Sequence, residues 1–354
     1  MTHGPFWATS YDRSPALPSA GIACIGVLRC HGIANFTACL RGVTQAFASK
    51  AAVGIFVAAC ALQGAEAAQP TAVTVAPGVY ALLGSGGEIT AENGGHTANQ
   101  AFIVGPAGVV VIDTGISYAQ GEQIIAAVER VTNRPIRLAI LTHPSQEAIF
   151  GAAAFQARGI PVLAHRRSAE LMSDRCATCL SNLETSLGAE AMAATRVVQP
   201  DRLINGDESL DVIGRPLRLI ALDGSSAPGA LAVFDVRTST LITGSLTSIK
   251  RVPDMRDADA TSWRDALARL GATRCRHLIS GFGPVGRCSD IAAFARYFAA
   301  LEDRVATLIK DGVSLAESRI RSDLPAFARW DQYETLHFRN AQRAYLRLER
   351  SQFE

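Results

Sequence analysis

From Val73 onward, short runs of Val, Ile and Leu alternate with longer segments whose apolar residues recur at helical spacing. No other feature of the chain constrains its fold as tightly. Val73–Val75 and Val79–Leu83 read as strands separated by Pro77-Gly78, and Gln100–Val104 with Val109–Ile112 as a hairpin turned at Gly105–Gly108. Tyr118–Val131 predicts an amphipathic helix with Ile124, Ile125 and Val128 on one face. Ile136–Leu141 predicts a buried strand, Glu147–Arg158 a helix, Pro161–Ala164 a strand, and Arg166–Leu187 and Glu190–Ala194 helices. The order then restarts with strands at Leu210–Ile213, Leu217–Leu222, Ala230–Asp235 and Thr240–Thr243, a helix at Ala260–Leu270 and a strand at His277–Ser280. Helices over Ile291–Ile309 and His337–Leu348 close the chain. Strands and helices interleaved twice, without a sequence repeat, predict two packed sheets with helices outside.

The amino-terminal region stands apart. Residues 1–45 show no sustained periodicity; Lys50, an apolar run Ala51–Leu62 and Ala65-Glu66-Ala67 then form the pattern of a secretory signal peptide. The run falls short of the ~20 apolar residues of a transmembrane helix, so no transmembrane span is expected. After Met1 the next Met is Met172, which makes Val43 the candidate start and residues 1–42 an expected gene-model extension. A lipobox-like Val57-Ala58-Ala59-Cys60 is the lesser alternative, with lipid on Cys60. Either way a periplasmic or secreted protein is expected, organised as a leader over 1–67, a main domain over 68–290 and a helical extension over 291–354 packed on that domain. With 34 basic against 32 acidic residues the net charge is +2, which offers nucleic acid no broad attraction.

Export changes the meaning of the cysteines. Cys24, Cys30, Cys39 and Cys60 lie in the leader, leaving Cys176, Cys179, Cys275 and Cys288. Four cysteines in an oxidising compartment favour disulfides and allow three pairings. Cys176–Cys179 with Cys275–Cys288 closes the shortest loops and is the first choice. Cys176-Ala177-Thr178-Cys179 could instead be a redox pair. Haem attachment is excluded by Leu180, and a paired CxxC zinc clamp by the spacing of Cys275 and Cys288.

Val109–Gly115, Leu141-Thr142-His143 and Gly151 resemble the metallo-β-lactamase superfamily, as do Asp223–Gly229, Leu241–Gly244, Arg251–Asp254, Trp263 and Gly281–Val285. The likeness covers about residues 73–290, and the branch most similar is that of the quinoprotein relay system zinc metallohydrolases. It implies an α/β (α+β) fold, a four-layer αββα sandwich, with zinc held by a Thr-His-x-His-x-Asp-His motif and by later histidines and an aspartate.

In that frame Thr142–Ala148 departs from the family. His143 keeps the first ligand position and Glu147 keeps a carboxylate at the Asp position. Ser145 and Ala148 replace motif histidines, Ser226 the third histidine, Ser245 the bridging aspartate and Phe282 the histidine of Gly-His-Gly. His143 and Glu147 are thus remnants, one per site, whereas a catalytic zinc needs about three protein ligands. No cofactor is expected. His165 reads as structural, and a substitute metal site of His96, His143 and Glu147 is the alternative. Asp113 is expected to hold the backbone of the Thr142 loop.

Two functions follow from the resemblance. The first is an exported pseudoenzyme whose cleft binds a periplasmic protein partner or a small acyl ligand, in a quinoprotein-linked oxidation pathway. The second is an active hydrolase of thioesters, lactones or related acyl substrates through an atypical or metal-free site. Its weak catalytic candidates are Ser145, Ser226, Ser245 and Asp113, with a Ser–His pair activating a hydroxyl.

Overall fold

Val109-Val110-Val111-Ile112 shows how the layers arise. Val109 and Val111 pack outward against helices, while Val110 and Ile112 point inward to a second sheet. A strand buried on both faces reads as one continuous apolar run, and this one does. The computed structural model describes residues 69–351 apart from 257 and 259. The leader, with Cys60 and the signal-like segment, lies outside the described residues.

The first sheet has seven strands in the order β1 Ala72–Ala76, β2 Val79–Leu82, β3 Gln100–Gly105, β4 Gly108–Ile112, β5 Ile136–Leu141, β6 Val162–His165 and β7 Arg202–Ile204. Pairing is antiparallel as far as β4 and parallel from β4 to β7. The second sheet runs β12 His277–Phe282, β11 Thr240–Ser248, β10 Ala230–Asp235, β9 Leu217–Leu222 and β8 Glu208–Leu210. Between the sheets lies an apolar layer that includes Ile103, Ile140, Leu163, Leu219, Val233 and Ile279.

Helices cover both outer faces. On the first sheet lie α1 Tyr118–Val131, α2 Gln146–Ile149, α3 Ala152–Ala157 and α4 Arg166–Leu187. On the second lie α5 Ala260–Gly271, α6 Ser289–Lys310, α7 Leu315–Arg321 and α8 Phe338–Arg350, gathered around Trp263, Phe294 and Phe298. The result is the αββα sandwich. No described helix is long and apolar enough to cross a membrane.

Several boundaries differ from the sequence expectation. The single helix expected over Glu147–Arg158 is two, α2 and α3, parted at Gly151. There the amide donates to Gly115 O at 3.0 Å, and a Cβ would stand 1.8 Å from Thr114 O. Glu190–Ala194 is turn rather than helix, with Ala194 at φ 60°. The strand expected over Leu210–Ile213 ends at Leu210. β7 and α7 had no clear apolar pattern to announce them.

Cys275 and Cys288 form a disulfide, Cα–Cα 5.4 Å, which ties the approach to β12 to the start of α6. The other half of the favoured pairing is corrected: Cys176 and Cys179 are free thiols on α4. Helical neighbours three apart hold their Cβ atoms about 5–6 Å apart, whereas a disulfide needs about 3.5–4.5 Å.

Candidate functional site

The residues after β5 turn sharply because Asp113 holds them. Asp113, at φ 60° and buried, accepts from Thr142 N at 2.8 Å and from Thr142 Oγ1 through both carboxylate oxygens, at 3.0 and 2.8 Å. This is the backbone-holding role expected of it. Burial pushes its carboxyl up to about 7, against the opposing hydrogen bonds from Thr142. Gly244, at φ 48°, lets β11 approach: a Cβ there would meet Thr142 Oγ1 at 1.9 Å. Thr142 O in turn accepts from Leu231 N at 2.8 Å, fastening the loop to the second sheet. Asn99 completes the join, donating to Ser280 O at 2.9 Å and Gly283 O at 2.8 Å while accepting from Gly84 N at 2.9 Å.

These ties open a cleft of about 450 Å³ along the ends of both sheets. His143, Ser145, Glu147, Ser226, Ser245 and Phe282 all line it. Positions up to 139 residues apart in sequence, from His143 to Phe282, thus meet as the family frame implied. Ala148 does not reach the cleft; it is buried, and its carbonyl accepts from Thr114 N at 2.8 Å and Thr114 Oγ1 at 2.7 Å.

His143 Nε2 lies 2.9 Å from Ser226 Oγ, and His143 Nδ1 has no partner among the described residues. Burial lowers the imidazole to about 4, so it is neutral at pH 7. Glu147 is half-buried, and burial raises its carboxyl despite the nearby charge of Arg251. Ser145 Oγ sits close enough to favour the charged form of Glu147 but completes no hydrogen bond. Ser245 lines the cleft apart from the His143–Ser226 pair: among the described residues no hydrogen bond links it to either.

The donor set does not fit zinc. Among the described residues, no three His, Cys, Asp or Glu side chains are gathered closely enough to hold a metal ion. The substitute set of His96, His143 and Glu147 is therefore corrected: His96 sits in the Gly-rich loop outside the cleft lining. A serine hydroxyl occupies Nε2 of His143, and Phe282 brings a ring without a donor. His165 has its structural role as the N-cap of α4, where Nδ1 accepts from Arg167 N at 3.2 Å.

Three further cleft residues were not singled out from sequence, Thr97, Arg251 and Arg339, and Cys179, read there as a disulfide or redox cysteine, lines the cleft as well. Arg251 lies over the Phe282 ring, 4.2 Å from its centroid, and pairs with Asp331 while its Nη1 donates to Gly87 O at 3.0 Å. Asp331 also accepts from Gly87 N at 3.0 Å. Arg251 fell within the family-like Arg251–Asp254 segment, the one signal that could have found it. Asp331 is 80 residues away with no motif around it. Burial and the neighbouring Cys179 push the Cys176 thiol up to about 12, leaving Cys179 as the accessible sulfur.

A two-sheet sandwich with its cleft at the strand ends, fastened by the Asp113–Thr142 hydrogen bonds, defines the class of αββα sandwich proteins. The sequence profile described as the metallo-beta-lactamase superfamily matches residues 93–276, and the chain belongs to that superfamily. No curated protein sequence matches it. Among solved structures it is similar to a metallo-beta-lactamase from Pontibacter korlensis, with 19% identity, 65% of this chain and 99% of that one covered, and a TM-score of 0.54. It is also similar to the stereoselective inverting sec-alkylsulfatase Pisa1 from Pseudomonas sp., with 19% identity, 78% and 50% covered, and a TM-score of 0.60. The mono-zinc form of the metallo-beta-lactamase FIM-1 from Pseudomonas aeruginosa matches at 17% identity, 65% and 95% covered, TM-score 0.52. The chain spans half the length of the sulfatase. At these identities the likeness concerns the fold alone.

Proposed function

We propose that this chain is an exported metallo-β-lactamase-fold protein that has lost metal-dependent hydrolysis and keeps the cleft for binding. The observation that carries the reading is the donor set: around His143 the cleft offers the hydroxyls of Ser145, Ser226 and Ser245 and the ring of Phe282 in place of ligands. Neutral hydroxyls cannot compete with water for zinc as imidazole and carboxylate do. Without a held metal there is no activated water to attack an acyl group. The signal-like leader and the Cys275–Cys288 bridge support a periplasmic or secreted setting. The resemblance to the quinoprotein-linked branch supports a role beside a periplasmic oxidation system, with a protein or small acyl compound as the bound partner.

Metal analysis of the purified chain after dialysis tests this. Far less than one equivalent of zinc, iron or manganese is expected, and a retained stoichiometric metal overturns the reading.

One observation favours the second function, a metal-free hydrolase: the 2.9 Å contact between Ser226 Oγ and His143 Nε2. A serine nucleophile needs a basic, oriented imidazole. Here burial holds the ring near 4 and no described residue grips Nδ1, which is why binding is preferred. Chelator-resistant hydrolysis of p-nitrophenyl acetate, abolished in both Ser226→Ala and His143→Ala, would reverse that preference.

A further inference from the structure

Among the described residues four buried side-chain polar atoms lack a hydrogen-bond partner, and three of them line the one cleft: Thr97 Oγ1, His143 Nδ1 and Ser145 Oγ. Thr97 and His143 are almost wholly buried, at 1% and 5% exposed. Buried polar groups are paired in nearly all folded proteins, so a cluster of unpaired ones in a cleft marks a place for a polar occupant. In the tautomer in which the Ser226 hydroxyl donates to His143 Nε2, the neutral ring carries its proton on Nδ1 and donates there. The Thr97 and Ser145 hydroxyls can donate as well. All three atoms are then satisfied by a group that only accepts.

Charge points the same way. Arg251 spends Nη1 on Gly87 O and Asp331, while its other N–H groups have no partner among the described residues. The guanidinium is fixed on the Phe282 ring, with its side chain only 12% exposed. A cation thus stands beside the ring at the family's histidine position. It repels an ammonium and attracts a carboxylate. Of the acids nearby, Asp254 is engaged by Arg256 at 3.0 Å and Asp331 by Arg251 Nη1; Glu147 lines the same cleft, where burial pushes it toward its neutral form, and Glu88 stands exposed at the rim. Arg339 adds a further cation with no ion pair among the described residues. Ile89, Phe282 and Leu336 supply a half-buried apolar wall.

We propose that the cleft binds an organic acid with an apolar body, its carboxylate received by Arg251 and the unpartnered donors of Thr97, His143 and Ser145. The proposal rests on the binding reading above and names the ligand class of that site.

Titration calorimetry of the full chain at pH 7 with octanoate, 1-octanol and octylammonium tests it. Octanoate is expected to bind at one site, about tenfold or more tighter than octanol, as a charge-assisted pair requires, with octylammonium weakest. Arg251→Gln is expected to cut octanoate affinity about tenfold while leaving octanol unchanged. Because Arg251 also anchors Asp331, the double variant Thr97→Val with Ser145→Ala gives an independent loss. In the unsubstituted chain, octanoate is expected to shift the ¹⁵N resonance of His143 Nδ1. Octanol or octylammonium binding as tightly as octanoate, unchanged octanoate affinity in both variants, or no binding of any probe overturns the proposal. Stoichiometric zinc after dialysis would instead overturn the binding reading, so the two failures are distinguishable.

Discussion

At the residue scale, the decisive feature is a set of short side chains where donors to a metal belong. His143 alone is legible in sequence as a surviving histidine, and the frame around it correctly brought Ser145, Ser226, Ser245 and Phe282 to the same cleft. What the frame could not reveal is how they interact. The Ser226–His143 hydrogen bond and the empty Nδ1 depend on side-chain positions set by two different sheets. The 2.9 Å contact makes a direct prediction, because it shows that side chain 226 reaches Nε2 of the ring. Zinc bound to imidazole nitrogens at about 2.0–2.1 Å requires them to converge at that range. The double variant Ser145→His, Ser226→His is therefore expected to retain zinc near one equivalent after dialysis, where the parent retains little. Metal analysis of the two proteins side by side decides it. If the variant folds, by circular dichroism, and still holds no zinc, the positions are not those of a latent site.

At the scale of elements, the strands and long helices were legible because each has an apolar face of one period. α1, α4, β5, β9 and β10 have the bounds that the spacing predicts. The extension after α7 was not legible in its detail, since its role is polar and distant. Asp331 grips Arg251 and the Gly87 amide. Asn340 Nδ2 donates to Pro253 O at 2.8 Å and its Oδ1 accepts from Met255 N at 3.3 Å, so α8 holds the cleft loop from behind. His337 organises this corner from a fully buried position. Its Nε2 must donate to Ser322 O, at 2.9 Å, because a carbonyl can only accept; Nδ1, 3.1 Å from Tyr297 Oη, is then the acceptor of the neutral ring. Burial lowers its pKa against the opposing backbone bond and the nearby Asp323 and Glu334. A histidine with a lowered folded pKa contributes stability that is present above its unfolded value, about 6.5, and lost as pH falls through the folded one. Stability in urea is thus expected to decline on acidification from pH 7 to pH 5, and to decline less in His337→Gln. That variant itself should cost about 1–3 kcal/mol at pH 7 through unpaired buried groups. An identical pH slope in the two proteins would refute the assignment.

At the scale of the whole molecule, the cleft depends on two sheets keeping a fixed relation, and the fastening lies at the far ends of the strands. β10 begins at Ala230 beside the Thr142 loop and ends at Asp235, about 17 Å away at the rise of a strand. There Asp235 takes both Arg215 Nε at 2.7 Å and Arg215 Nη2 at 2.6 Å, with the two side chains 0% and 2% exposed. Arg215 Nη1 crosses to the first sheet, donating to Pro77 O and Val104 O at 3.0 Å each. Neither residue had a sequence signal: Arg215 sits in a Gly-Arg-Pro turn and Asp235 ends a hydrophobic strand, where exposure is the ordinary expectation. Burial raises the Asp235 carboxyl, but the bonds from Arg215 and Thr238 outweigh it and leave the pKa lowered. Its contribution is accordingly present above the unfolded carboxylate value, about 3.9, and lost as pH falls through the folded one. Arg215→Ala strands a buried charge and should cost about 3–5 kcal/mol at pH 7, since breaking one partner of such a pair leaves the other uncompensated. The penalty should shrink toward pH 4, as the unpaired Asp235 takes up a proton and ceases to be a charge. The double variant Arg215→Met, Asp235→Leu should recover much of the loss at pH 7, because apolar replacements of similar volume need no counter-charge. Urea unfolding of the three proteins at both pH values separates these outcomes. A single variant as stable as its parent at pH 7 would show that the sheets are held by the apolar layer alone.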